Sequence, residues 1–348
     1  MYSGNDYFRE DLQSCASSIV GIDALANKKI LITGATGLIG SFLVDELLYL
    51  NEKYGYGITV FALARDEMRL KNRFSSHLND SSLKFVIGDV TGAIQLDEEV
   101  DFMIHAAGDG FPAAFREHPF ETMTPAVIGT VNLLEYAQCH NVKRFLYLSS
   151  GEVYGVSGNE NHPFQEDESG SLDSMNVRSC YPNAKKCAET LCASFYAEYG
   201  LECVVARLSH TYGACVSVHD NRATVQFMDN AVRGRDIVLH SRGTQVRSYT
   251  YVADAVSGLL SVLLNGNAGE AYNIANSASQ TTVVGIAEKI AQVSGVNVTY
   301  ELPDKTAKKE LTPIEYAVLD ASKLGQLGWK AAYDIEHGVK NMYHTYGA

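Results

Sequence analysis

KKILITGATGLIG (residues 28–40) runs a series of aliphatic and β-branched residues straight into three glycines set three apart, Gly34, Gly37 and Gly40. The run reads as a strand, the glycines as a sharp turn, and the amphipathic stretch that follows as a helix opening near Leu38. By themselves three glycines are only a turn. With a strand before and a helix after, they allow close backbone approach and leave helix N-terminal amides to face a ligand, which suits the pyrophosphate of a dinucleotide. Gly34, Gly37, Leu38, Ile39 and Gly40 are the contacts this reading predicts.

Working outward, short apolar runs recur at ITVFAL (58–63), LKFVIGDV (83–90), DFMIHAAG (101–108), VKRFLYLS (142–149) and LECVVARLS (201–209), separated by stretches of helical spacing. Strand, helix, strand, repeated, predicts an α/β fold with a doubly wound parallel sheet covered on both faces. Ligands in such sheets sit beyond the carboxyl ends of the strands. That places Asp89 and Val90 at the adenine edge of the dinucleotide, with the small Ala106, Ala107 and Gly108 beneath it. After residue 207 the pattern loosens. Loops such as ACVSVHDNRA (214–223) and HSRGTQVRS (240–248) interrupt helices near 223–234, 254–265 and 282–294, which predicts a smaller C-terminal α/β lobe for substrate. The expected organisation is a helical N-terminal extension over 1–28, a dinucleotide-binding domain over 29–207, and a substrate lobe over 208–348 from which segments around 236–265 return to the first domain.

The chain has 348 residues, 46% hydrophobic and 20% charged, with a net charge of −13. An acidic surface argues against nucleic acid as partner. No apolar run approaches the ~20 residues that span a bilayer, and MYSGNDYFREDL carries no targeting signature, so the expected location is cytoplasmic, away from membranes. Seven cysteines (15, 139, 180, 187, 192, 203, 215) form no Cys-x-x-Cys pair. They read as reduced, mostly buried thiols rather than a metal site or disulfide framework, with Cys180 a small packing residue.

Two further stretches carry chemistry. In SCYPNAKK (179–186), Tyr181 and Lys185 lie one helical turn apart on one face. An ammonium beside a phenol lowers the phenol's pKa and makes a proton acceptor usable near neutral pH, although such a pair also arises when a tyrosine merely packs under an exposed lysine. In LSSGEVYG (148–155), Ser150 and Glu152 stand at the end of a buried strand with Gly151 between them. His105, ending DFMIH, reads as a structural histidine.

Together these stretches resemble the extended short-chain dehydrogenase/reductase superfamily of nucleotide-sugar epimerases, dehydratases and decarboxylases, from about residue 29 to the C-terminus. The resemblance implies a Rossmann-type sheet, a tightly held NAD or NADP, a nucleotide-diphosphate sugar as substrate, a homodimer and a place in polysaccharide biosynthesis. Tyr181, Lys185 and Ser150 would align a sugar hydroxyl for hydride transfer, Tyr181 and Lys185 also touching the cofactor. In the dehydratases an Asp-Glu pair follows the Ser/Thr; here the aspartate position is Gly151, so the acid for water elimination is missing while Glu152 remains. The chain is most similar to UDP-glucuronate decarboxylases, in RSCYPNAKKCAET, HDNRATVQF and GTQVRSYTYVAD. Departures from the family pattern are Ala64 with Arg65 at the end of the second strand, where an arginine could accept the 2′-phosphate of NADP, and His210 and Ala126 where asparagine is usual. Arg178, Arg222 and Arg247 are candidates to hold a diphosphate or carboxylate, a planar fork binding such oxygens in pairs. The expected reaction is decarboxylation of a UDP-hexuronate through a 4-keto intermediate. The alternatives are a 4-epimerase, an NADPH-dependent ketoreductase, or a non-catalytic nucleotide-binding protein.

Overall fold

The computed structural model describes residues 4–96, 98–156, 162–216, 220–302 and 314–346. Residues 217–219 of the expected loop at 214–223, including His219 of HDNRATVQF, lie outside the described residues, as do the first three and last two residues of the chain.

The chain runs through α1 (Asp6–Ser18), β1 (Lys29–Thr33), α2 (Leu38–Tyr54), β2 (Thr59–Ala64), α3 (Glu67–Arg73), β3 (Leu83–Ile87), β4 (Phe102–His105), α4 (Pro112–Glu117), α5 (Pro119–Cys139), β5 (Arg144–Ser150), α6 (Cys180–Tyr199) and β6 (Glu202–Leu208). It continues with β7 (His210–Tyr212), α7 (Ala223–Val232), β8 (Ile237–Leu239), β9 (Val246–Tyr251), α8 (Val252–Asn265), β10 (Ala271–Ile274), β11 (Gln280–Thr282), α9 (Val283–Ser294), β12 (Val298–Tyr300), β13 (Tyr316–Ala317), α10 (Ser322–Gln326) and α11 (Ile335–Tyr346).

Seven strands form one parallel sheet in the order β10-β6-β5-β4-β1-β2-β3. The chain reverses direction across the sheet between β3 and β4, so β1 and β4 flank the crevice where such folds bind ligands. Alternation along β1 feeds both faces: Ile30 and Ile32 join the core under α1, α2, α8 and α11, whereas Leu31 joins Met103, Leu133 and Tyr147 under α5 and α6. Each such side chain removed from water contributes ~1.5–3 kcal/mol. The six strands expected from sequence are present, and β10 adds an edge strand that its four residues had not announced.

The rest of the C-terminal third makes a four-stranded sheet of β11, β9, β13 and β7 and a two-stranded sheet of β8 and β12. These lie beyond the carboxyl ends of the large sheet's strands, while α8 folds back against α1 and α2. Helix α1 is part of the main core: Phe8, Leu12 and Cys15 are buried there, and the Asp11 carboxylate accepts from Tyr251 Oη (2.6 Å), Tyr333 Oη (2.9 Å) and Asn341 Nδ2 (2.9 Å). All seven cysteines are free thiols, five of them buried. Among the described residues no helix is long and apolar enough to cross a membrane.

Candidate active site

A single cleft of about 930 Å³ runs over the carboxyl ends of the strands, and every site residue expected from sequence lines it. One half is built from backbone. Gly34 turns the chain with φ +66°, and a Cβ there would lie 2.6 Å from the Ala106 carbonyl oxygen, so β1 and β4 can close together only around a glycine. Gly37 caps α2 without any side chain, which leaves the first-turn amides of Leu38, Ile39 and Gly40 with no intrahelical partner at the cleft wall. Thr33 Oγ1 accepts from the Ala107 amide (3.2 Å) and bonds His105 Nδ1 (2.8 Å), holding the Ala106-Ala107-Gly108 segment under the cleft. His105 Nε2 also meets the Pro125 carbonyl (3.1 Å). Burial and the Lys185 charge pull its pKa down to about 3, so it is a neutral structural ring. Asp89 accepts from the amide and hydroxyl of Thr91, bonds that hold its carboxyl below the usual range, and Val90 is buried beside it. Arg65 stands exposed at the end of β2, its charge felt by Asp89. These uncapped amides and small residues fit a dinucleotide pyrophosphate.

The other half is built from side chains. Tyr181 lies in the first turn of α6, and Lys185 one turn on, 6% exposed. Lys185 Nζ donates to the Leu148 carbonyl (2.6 Å) and lies 4.7 Å from the Tyr147 ring and 5.7 Å from that of Tyr181. The Ser150 hydroxyl accepts from the Glu152 amide (3.2 Å) and hydrogen-bonds the Tyr181 phenol. Ser149 points the other way, to Glu189. The expectation that the ammonium lowers the phenol's pKa does not hold in the protein alone. Burial and the nearby Glu152 charge push Tyr181 up to about 12, outweighing Ser150, Arg222 and Arg178. Lys185 is itself pulled down to about 8 by burial, with Glu189 opposing. Its ammonium is turned to a strand-end carbonyl rather than to the phenol oxygen.

Glu152 and Arg178, expected to act separately, hold each other through two bonds of 3.0 Å. The Arg178 guanidinium also lies 4.7 Å from the Phe115 ring, which stacks on Tyr181 at 4.6 Å. Gly151 leaves little room for a side chain: a Cβ would sit 3.1 Å from both Leu319 methyls, which would have to give by a few tenths of an ångström. Arg222 is likewise committed, to Asp220 (2.6 Å) and the Thr211 carbonyl (3.0 Å). Arg247, 4% exposed, donates to the carbonyls of Val246, Ile314 and Glu315 and has no carboxylate bonded to it among the described residues. His210 faces the cleft beside Tyr249 with an exposed ring, and the loss of solvation between the cleft walls with the charges of Arg247 and Arg222 takes its pKa down to about 3. Ala126 is buried in α5.

Sequence reasoning missed Phe115, Leu319, Asp220 and Glu189. Glu189 carried a signal, standing four residues after Lys185, and Asp220 stands two before Arg222. Phe115 and Leu319 carried none, because only the fold brings them to Tyr181 and Gly151.

A parallel sheet with this strand order, a glycine turn opening α2 and a Ser-Tyr-Lys cluster across the same cleft define a dinucleotide-dependent enzyme of the doubly wound class. The sequence model of the NAD dependent epimerase/dehydratase family matches residues 30–275, and the chain belongs to that family. It is an enzyme of this type with NAD as its cofactor. The UDP-glucuronic acid decarboxylase 3 of Arabidopsis thaliana is 32% identical over 319 residues, 91% of this chain and 88% of that protein. The UDP-glucuronic acid decarboxylase 1 of Xenopus tropicalis is 29% identical, over 92% of this chain and 72% of that one. Among solved structures, the UDP-glucose 4-epimerase of Thermotoga maritima with UDP-glucose superposes with a TM-score of 0.75 at 25% identity, covering 91% of this chain and 98% of the epimerase.

Proposed function

We propose that the protein decarboxylates a nucleotide-diphosphate hexuronate, with UDP-glucuronate, the compound in its relatives' names, as the first candidate. The observation that carries this reading is the convergence of Ser150, Tyr181 and Lys185 opposite Arg247, a buried cation with no carboxylate bonded to it among the described residues, while the place after Ser150 where an elimination acid would stand is Gly151, with Leu319 packed against it.

The sugar 4-hydroxyl sits between Ser150 and Tyr181, and the Tyr181 oxygen takes its proton. NAD held by the glycine turn, Tyr181 and Lys185 would supply the acceptor and donor of the C4 hydride, and its cationic ring would add positive charge beside a phenol whose pKa burial pushes up to about 12. Lys185 adds to that charge and steadies the phenolate. The 4-ketone makes the C6 carboxylate a β-keto acid: the C5–C6 bond breaks, carbon dioxide leaves, and the electron pair passes to an enolate. A proton then returns to C5, and the ketone is reduced to the 4-hydroxyl as Tyr181 gives its proton back. Glu152, fixed by Arg178, and Arg247 hold the intermediate and control where that proton arrives. Leu38, Ile39 and Gly40 hold the pyrophosphate through their amides, and Arg222 and His210 face the substrate diphosphate.

A homodimer formed through α5 and α6 fits the apolar side chains these helices expose, Phe120, Ile128 and Tyr196 among them. An acidic chain with free thiols suits the cytoplasm and the supply of activated sugars for polysaccharides. The test is incubation with UDP-, dTDP-, CDP- and GDP-sugars, read by mass. Loss of carbon dioxide from a hexuronate supports the reading; an epimerised product of unchanged mass, loss of water, or gain of two hydrogens each replaces it.

A further inference from the structure

Behind the reactive cluster lies a buried polar network that the reaction above does not use. Lys185 is a buried cation with no carboxylate bonded to it among the described residues. The groups packed around it are the Tyr147 ring and the Leu148 carbonyl on β5, the neutral His105 on β4, and Tyr181, Glu189 and Cys192 on its own helix. Glu189 is the one carboxylate among these, a turn further along the same face of α6. It is tied down elsewhere. Its oxygens accept from Arg207 Nε (3.0 and 3.3 Å), from Arg207 Nη2 (2.8 Å) and from the Ser149 hydroxyl. Arg207 is in turn fixed by the Tyr154 hydroxyl (3.0 Å) and the Glu166 carbonyl (2.8 Å), and Tyr154 donates to Asn273 Oδ1 (2.7 Å) on β10. Residues from β5, α6, β6, the turn after β5 and β10 therefore fix the position of one carboxylate.

We propose that Glu189, clamped by Arg207 and Ser149 one turn from Lys185, is a positioning residue that sets the charge on Lys185 and with it the alkaline limit of turnover. The inference rests on the use of Lys185 in the reaction proposed above. A carboxylate swung directly onto the ammonium would hold the lysine permanently charged and draw it away from the Leu148 carbonyl. With no carboxylate nearby, burial would strip the proton near neutral pH. The clamp gives an intermediate state: Arg207 takes most of the carboxylate's field, and the remainder offsets part of the burial cost. The lysine's pKa of about 8 follows from that balance.

The experiment is the pH dependence of kcat/KM for the NAD-loaded enzyme on the substrate found by the sugar panel. Glu189→Gln should move the alkaline limb down by about one unit, so that activity falls roughly fivefold at pH 8, approaches a tenfold loss above pH 9 and changes little at pH 6. Because that variant leaves a buried guanidinium unpaired and can fail to fold, Glu189→Gln with Arg207→Met is made beside it. Its limb should lie between those of the single variant and the wild type. Glu189→Asp keeps the charge and should keep the wild-type limb even where kcat falls. A limb that stays in place in both uncharged variants, with activity lowered equally at all pH, overturns the inference and leaves Glu189 a structural residue. Full turnover by Lys185→Ala strikes instead at the reaction itself, so the two failures are distinguishable.

Discussion

The two halves of the cleft are made of different material. Around Gly34, Gly37 and Ala106 the wall is backbone, shaped by glycines and presenting helix N-terminal amides that no cap side chain satisfies. Around Glu152, Arg178, Arg222 and Arg247 it is side chains, most already bonded within the chain: Glu152 to Arg178, Arg222 to Asp220, Arg247 to three carbonyls. The first half can bind only what fits its shape. A ligand entering the second must compete with bonds already made, so the choice of substrate depends on which pairs yield, and the chemistry depends on which hold.

The contrast breaks most sharply at Tyr181. Tyr181→Phe removes one oxygen from the side-chain half and nothing from the backbone half. Turnover should fall by ~10²–10⁴-fold while the dissociation constant for NAD, followed by fluorescence, changes little. Loss of NAD binding in step with turnover would mean that the two halves are not separable.

Glu152→Gln comes next. It preserves shape and leaves Arg178 a neutral partner, so it should lower kcat by roughly 10–10²-fold, the worth of a charge-assisted bond pair, and raise KM much less. The sign of the pH effect is set by the Tyr181 environment. The Glu152 charge raises the phenol's pKa, so its removal should shift the acid limb of kcat to lower pH even as the maximum falls. An unmoved limb would place Glu152 outside the phenol's electrostatic surroundings.

These expectations bear on what could be read before the fold was known. The strand runs, the glycine turn and the Tyr181–Lys185 turn are local patterns, and each lies within a few residues of chain. The family resemblance singles out Ser150 over Ser149, from its place before the VYG turn, and the two hydroxyls go to different partners, as strand alternation requires. The pairing of Arg178 with Glu152 spans 26 residues, and the packing of Leu319 on Gly151 joins the middle of the chain to its C-terminal part. No local pattern carries such contacts, so Arg178 read as a ligand contact and turned out to hold a carboxylate of the chain. Tyr181 was misjudged for a related reason: spacing placed the ammonium nearby, but burial, which spacing does not report, dominates the phenol's pKa.

A smaller effect should follow from Gly40→Ala, which tests the backbone half. The added Cβ would run into the Gly34 carbonyl oxygen, and because the obstacle is main chain it cannot swing aside. The expected cost is ~1–3 kcal/mol in denaturant stability, with weaker NAD binding and an unchanged pH profile for whatever turnover remains. A moved alkaline or acid limb would show that the backbone half also tunes the reactive groups.

The smallest effect is expected at His210→Asn, and its value lies in what should not change. His210 sits exposed on β7 opposite Tyr249, and lost solvation between the cleft walls together with the charges of two guanidiniums lowers its pKa to about 3 against an ordinary value near 6.5. The ring is therefore neutral through the whole working range. It can donate one hydrogen bond and accept another, which an asparagine amide can also do. Replacing it should change KM by less than about tenfold and leave kcat nearly intact, since no charge is lost from the cleft. Between about pH 5 and about pH 8 the profile of kcat/KM should keep its shape, because a group that stays neutral there contributes no limb. If the wild type instead shows a limb near pH 6 that His210→Asn abolishes, the imidazole is charged when substrate is bound, and the side-chain half of the cleft then takes up a proton as it trades its internal pairs for the ligand's.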